Sequence, residues 1–202
     1  VELDHESRDL QFWGGAFTKA GVLGGTLEAY MFALRERDTP AFQTRNRRLY
    51  TPGLRLFRGP ASGTWDWDVE GIYQFGETRG SALVTDTADL SVSAYFIHAE
   101  LGHTFPTRWK PRVAFQYDRA SGDNRDPRTY NRFDTLFGAR RGEYGPTSLY
   151  GAVQRSNLNS PGVQLDLQPS ARLDLGFSYR ALWLLAAADS FAATGVRDPL
   201  AR

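Results

Sequence analysis

The sequence predicts an all-β protein, an antiparallel transmembrane β-barrel with about eight strands present. Three observations predict it. Residues 65–75 set Trp65, Trp67, Tyr73 and Phe75 on odd positions and Asp66, Asp68 and Glu70 on even ones, the period of two of a strand with one greasy and one wet face. Four further segments repeat the pattern, and in all five the apolar face carries no Asp, Glu, Lys or Arg. The connections alternate short and long, as in barrels with tight periplasmic turns and extended external loops.

Taken in chain order, residues 11–19 place Trp13 and Phe17 opposite Thr18, with Phe12 breaking the contrast. Residues 26–36 mix Tyr30, Phe32 and Leu34 with Glu28 and Glu36, and residues 49–58 set Tyr50, Leu54 and Leu56 opposite Arg55. After 65–75, residues 93–105 oppose Tyr95, Ile97, Ala99, Leu101 and Phe105 to His98, Glu100 and Thr104. Residues 109–117 oppose Trp109, Val113, Phe115 and Tyr117 to Lys110, Arg112 and Gln116, and Asp118 continues the polar face. Residues 162–167 set Val163, Leu165 and Leu167 against Gln164 and Asp166. The last strand, 172–183, sets Leu173, Leu175, Phe177, Tyr179, Ala181 and Trp183 against Arg172, Asp174, Ser178 and Arg180. Gly24-Gly25, 59–63, 105–108 and 168–171 carry turn residues. The long connections are 37–47, 76–89 and 119–157.

Composition fits this class. The 202 residues have a net charge of +1, which argues against a basic nucleic-acid binder. There is no Cys, so disulfide and thiolate chemistry are excluded. No run approaches the roughly 18 apolar residues of a membrane helix. A mean hydropathy of −0.45 is compatible with a barrel, in which only alternate residues need be apolar. The opening Val1-Glu2-Leu3-Asp4-His5 does not read as a signal peptide. Trp13, Trp65, Trp109 and Trp183 lie near strand ends, as aromatic girdles do. Loop parity puts both chain ends on the external side, from which a segment of a larger barrel is expected.

Residues 119–157 exceed the roughly 12 to 15 residues beyond which a loop is functional or disordered. The segment holds seven arginines and four acids, interleaved with Tyr130, Phe133, Phe137, Tyr144 and Tyr150. The aromatics imply that it packs, and folding of this Arg-rich loop into the pore is expected. The rest of 1–202 is read as one barrel segment.

The run from Trp109 through Tyr117-Asp118-Arg119-Ala120-Ser121-Gly122-Asp123, then Phe133-Asp134-Thr135-Leu136-Phe137-Gly138, Gln154-Arg155-Ser156-Asn157-Leu158 and Tyr179-Arg180-Ala181-Leu182-Trp183, resembles the alginate export family of outer-membrane porins. The likeness is most specific over residues 109–190. It implies a barrel of about eighteen strands, of which this chain would be roughly the C-terminal half, in the outer membrane of a Gram-negative bacterium. It implies passage of an anionic uronate exopolysaccharide, contact with outer-membrane lipid, and periplasmic secretion components as further partners. It also implies pore arginines, one matching Arg155 and another falling on Arg140 or Arg141. No cofactor, metal or catalytic residue is implied.

The chemistry suits arginine. A uronate polymer carries one carboxylate per sugar, and a guanidinium meets both carboxylate oxygens without ever deprotonating. Periodicity adds Lys110, Arg112 and Arg180 to the lumen-facing cations, beside Arg172. The same face carries Asp66, Asp68, Glu70, Glu100, Asp118, Asp166 and Asp174. Such acids either pair with arginines on neighbouring strands or stand at the mouths; the first is favoured. Asn157 is expected to order the loop end.

Two alternatives come from the same residues. A soluble lipocalin-like binding barrel would turn the aromatic face inward, and periodicity alone leaves facing open; strand length and loop asymmetry place that face against lipid. A carbohydrate-acting enzyme would use Asp66 and Asp68 as acid and base, their roughly 6.5–7 Å same-face spacing matching an inverting pair. Alternating acids are also what any wet strand face carries. His5, His98 and His103 make no metal pattern.

Overall fold

The computed structural model describes residues 8–40, 42–137, 153–191, 194–198 and 200. They form a sheet of nine strands: β1 (Leu10–Val22), β2 (Gly25–Glu36), β3 (Arg48–Arg58), β4 (Trp65–Arg79), β5 (Asp89–Thr104), β6 (Arg112–Ala120), β7 (Thr129–Tyr130), β8 (Leu158–Ser170) and β9 (Leu173–Arg180). Neighbours in sequence are neighbours in space, antiparallel in the order β1-β2-β3-β4-β5-β6-β8-β9, and the two-residue β7 joins β5 in parallel. No helix long and apolar enough to cross a membrane occurs among the described residues, which has no bearing on crossing by strands.

The register gives every strand a consistent pair of faces. On β4, Trp65, Val69, Tyr73 and Phe75 are exposed while Asp66 and Gln74 are buried. The exposed set continues across the sheet through Leu54, Ile97, Leu101, Val113, Phe115, Val163, Leu165, Phe177 and Tyr179. The opposite face carries Asp66, Asp68, Glu70, Glu100, Arg112, Asp118 and Arg180, and the segment after β6 folds back onto it.

Several boundaries differ from the sequence expectation. β4 runs on to Arg79 and β5 begins at Asp89, so the connection between them shortens. Residues 109–111 are not strand: Trp109 and Lys110 both have positive φ (70° and 43°), and Phe105 N–H donates to Pro111 O at 2.8 Å to close a turn. Arg172 likewise lies in the β8–β9 turn, its N–H donated to Ser170 Oγ at 3.3 Å. Arg119, assigned to the long loop, lies on β6. Gln154–Asn157 precede a β8 that starts earlier than alternation alone indicated, because Leu158 and Ser160 are both fully buried and interrupt the pattern.

Burial concentrates at the long-loop end of the charged face. Leu34, Leu49, Val92, Ala94, Phe96, Ala120 and Leu158 from the sheet meet Phe133 and Leu136 from the loop. Phe133 packs on Phe96 with ring centroids 5.9 Å apart. Phe12 belongs here too: it turns to this face, stacks on Phe32 at 5.7 Å and meets Phe137 edge-on at 5.3 Å. Its break in the β1 pattern is thus an inward ring contact, though the side chain stays 46% exposed.

Candidate functional site: the charged face and its covering loop

The inward face, even-numbered on the long strands except β3, carries a connected ionic network from the short turns to Arg180 at the end of β9. Arg112, buried on β6, faces Asp66 through Nε (3.1 and 3.2 Å to the two carboxylate oxygens) and through Nη2, and also binds Glu100. Its Nη1 lies 3.3 Å from Asp166 Oδ2. Gln116 links onward, donating to Glu100 Oε2 at 2.5 Å and Gln164 Oε1 at 2.7 Å. Arg180 donates to Gln116 Oε1 at 2.6 Å and Asp118 Oδ2 at 2.5 Å, and His98 Nδ1 is 2.7 Å from the other Asp118 oxygen. On β3, Arg55 binds Asp68 through two nitrogens at 2.8 and 2.5 Å. Buried carboxylates require such partners, since an unpaired buried charge costs several kcal/mol.

Glycines make these reaches possible. Arg112 and Asp66 are two strands apart, and a Cβ on the intervening Gly102 would stand 2.6 Å from both Arg112 Nη2 and Asp66 Oδ1. Arg180 lies across Gly162 on β8 to reach β6, and Tyr30 lies across Gly53 on β3 to donate to Glu70 on β4 at 2.5 Å. A strand glycine marks such a close approach, and these three were open to reading from the sequence.

Toward the long loops the face is covered. Gln74 and Asp134 exchange hydrogen bonds, Nε2 to Asp134 O at 3.1 Å and Asp134 N–H to Oε1 at 3.0 Å. Arg47, in the β2–β3 loop, donates to Asp134 at 2.6 Å and Glu36 at 2.8 Å. Burial opposes its charge, but the two carboxylates outweigh that and hold its pKa above the usual arginine range. Arg132 donates to Ser156 Oγ and Asp189, and Asn157, fully buried, receives Leu185 and Ala186 N–H on its Oδ1 while its Nδ2 donates to Ala186 O. The loop end is ordered by Asn157, as expected.

Between loop and sheet lies a cavity of about 330 Å³ lined by Tyr30, Glu70, Ile72, Phe133, Leu136 and Arg155, among others. Arg155 Nη1 is 3.5 Å from Glu70 Oε2, and its guanidinium sits 4.7 Å above the Phe96 ring.

With this geometry in view, the comparison with known families is decisive: a family model described as alginate export matches residues 1–199. The chain belongs to the alginate export family. No curated protein matches it. An alginate export porin is a β-barrel of the outer membrane, so the sheet is barrel wall. Membership of a family of outer-membrane export porins speaks against the soluble lipocalin-like alternative. Asp66 and Asp68, the acid and base of the enzyme alternative, are each held by a guanidinium, and the family is one of transport porins.

Of the sequence-proposed pore residues, Arg155 lines the cavity, while Arg112 and Arg180 are bound into the ionic network. Lys110 lies in the β5–β6 turn, exposed, donating to Gln168 at 3.2 Å, because Pro111 and the two positive-φ residues keep it off the strand. Arg140 and Arg141 lie outside the described residues. Sequence reading missed the roles of Tyr30, Arg47 and Gln74. The first depends on two registers together: the β3–β4 hairpin about 59–64 pairs Arg55 with Glu70, and the β2–β3 pairing puts Tyr30 beside Gly53.

Proposed function

We propose that this alginate export porin passes a uronate polymer along the even-numbered face, with arginine at the loop-covered end supplying selectivity. The cavity at Arg155 carries the reading. There a guanidinium held at 3.5 Å from Glu70, with about a third of its side chain exposed, faces open volume. Arg112, one-tenth exposed, is held by three carboxylates and serves to stiffen the wall.

The division follows from charge and access. A passing carboxylate must replace hydration with cationic donors, and those donors must be reachable and weakly held so that the polymer steps onward. A fully chelated arginine offers neither. The loop spanning 119–157 acts as the inward-folded constriction of a larger barrel of about eighteen strands, in the outer membrane of a Gram-negative bacterium. Arg140 and Arg141 join Arg155 in this role, with Arg180 behind it and Lys110 at the periplasmic mouth, where secretion components deliver the polymer.

Planar-bilayer recordings of the full-length protein test this. Soluble polyuronate blocks the wild-type current, and Arg155→Glu weakens that block about tenfold while Arg155→Lys keeps most of it. Unchanged block in Arg155→Glu removes the loop from selectivity.

A further inference from the structure

The outward face holds an arginine that the pore does not use. Arg119 follows Val113, Phe115 and Tyr117 on the odd side of β6, and its Nε donates to Tyr95 Oη at 3.0 Å. Its cross-strand neighbours are Ile97 on β5 and Asn159 on β8. It stands within a belt of outward tyrosines, Tyr73, Tyr95 and Tyr117. Trp65, at the other end of β4, is eight residues from Tyr73, roughly 26 Å along the strand at about 3.3 Å per residue. At the roughly 35–45° tilt usual for barrel strands this rises about 20 Å, most of the height of an apolar band between two aromatic girdles.

Beside Arg119 the wall is notched. An apolar groove of about 470 Å³ is lined on this face by Pro52, Leu54, Gly71, Tyr73, Tyr95 and Ile97. Gly71 makes it: no heavy atom lies within 4 Å of where its Cβ would be. Pro52, lacking an N–H, accompanies a gap in the β3–β4 pairing between Tyr50↔Phe75 and Gly53↔Ile72.

We infer that Arg119 and the groove at Gly71 bind one lipid of the outer leaflet, a phosphorylated glycolipid whose phosphate meets the guanidinium and whose acyl chain lies along Gly71. The inference rests on the odd face being lipid-facing. Charge complementarity selects the occupant: a cation at the level of the tyrosine hydroxyls, continuous with an apolar groove, fits an anionic amphiphile, and the guanidinium fork suits phosphate. The polymer is excluded from this position because it travels on the opposite face.

The test is lipid binding by the full-length protein in neutral detergent, read by native mass spectrometry. The ligands are a bisphosphorylated disaccharide lipid, its dephosphorylated form and inorganic phosphate. The wild type retains one bisphosphorylated lipid. Arg119→Gln and Gly71→Leu each weaken it about tenfold, Arg119→Lys restores part of the loss, and the dephosphorylated lipid binds wild type as weakly as the intact lipid binds Arg119→Gln. Heat-shifted gel mobility verifies that each variant is folded. Unaltered binding in both Arg119→Gln and Gly71→Leu overturns the site, as does displacement of the lipid by millimolar inorganic phosphate. Neither result touches the polyuronate block at Arg155, so the two readings fail separately.

Discussion

The two ends of the even-numbered face are built on opposite principles. Near the short turns, Asp66, Glu100 and Asp166 are neutralised strand to strand by Arg112. Near the long loops, the same face carries an apolar cluster, Leu34, Leu49, Ala94 and Phe96, covered by Phe133 and Leu136, with Arg47 tying Glu36 to Asp134 beside it. One end is held by electrostatics that need no lid, and the other by burial that requires one. Paired charges stiffen a polar strand face, whereas a loop folded onto a sheet needs an anchor. Apolar residues on the inner face supply that anchor, at roughly 25 cal/mol per Å² removed from water.

The contrast can be broken first at the charged end. Arg112→Ala leaves Asp66 and Glu100 without their shared cation in a site where Asp66 is 2% exposed. A loss on the order of 3–5 kcal/mol is expected, read as a lowered midpoint of urea unfolding in detergent. A midpoint within error of wild type would mean that the network is solvated and contributes little. The covered end responds differently. Phe133→Ala removes the ring packed on Phe96 and costs about 3 kcal/mol, but locally, so limited proteolysis between 121 and 137 accelerates while the unfolding midpoint of the sheet stays near wild type. Global destabilisation equal to that of Arg112→Ala would show that the two ends form one cooperative unit.

A smaller change sharpens the role of the glycine crossings. Gly102→Ala puts a methyl 2.6 Å from Arg112 Nη2 and Asp66 Oδ1. Both atoms are side-chain ends that can shift, so about 1–3 kcal/mol is expected from the crowding, less than from deleting Arg112. A double variant with Arg112→Ala should then lose little beyond Arg112→Ala alone, because the methyl enters space the guanidinium has left. Full additivity would place the cost of Gly102→Ala in the backbone.

The difference between the ends also decides what was legible beforehand. The charged strands were read correctly because alternation is strongest where one face is ionised and the other aromatic, as in Trp65–Glu70. β1 and β2 were harder to face because Phe12, Phe32 and Leu34 put apolar residues on the inner side, where Leu34 joins the core and Phe32 packs against it. A period of two cannot distinguish a residue facing lipid from one facing a folded-in loop. Lys110 was misplaced because parity continues through a turn in the sequence though not in space.

Local order, then, was determined by the sequence alone: eight strands, their hairpin neighbours, the separation of an aromatic from an ionised face and the rhythm of short and long connections. These follow from side-chain alternation and turn chemistry, which act over a few residues. Only the tertiary structure decided which arginines are spent on the wall and which face open volume. That depends on contacts across two strands, Arg112 over Gly102 to Asp66 and Tyr30 over Gly53 to Glu70, and on a loop returning 60 residues along the chain to bond Gln74. Separation in sequence carries no record of such distances until the sheet's register fixes them.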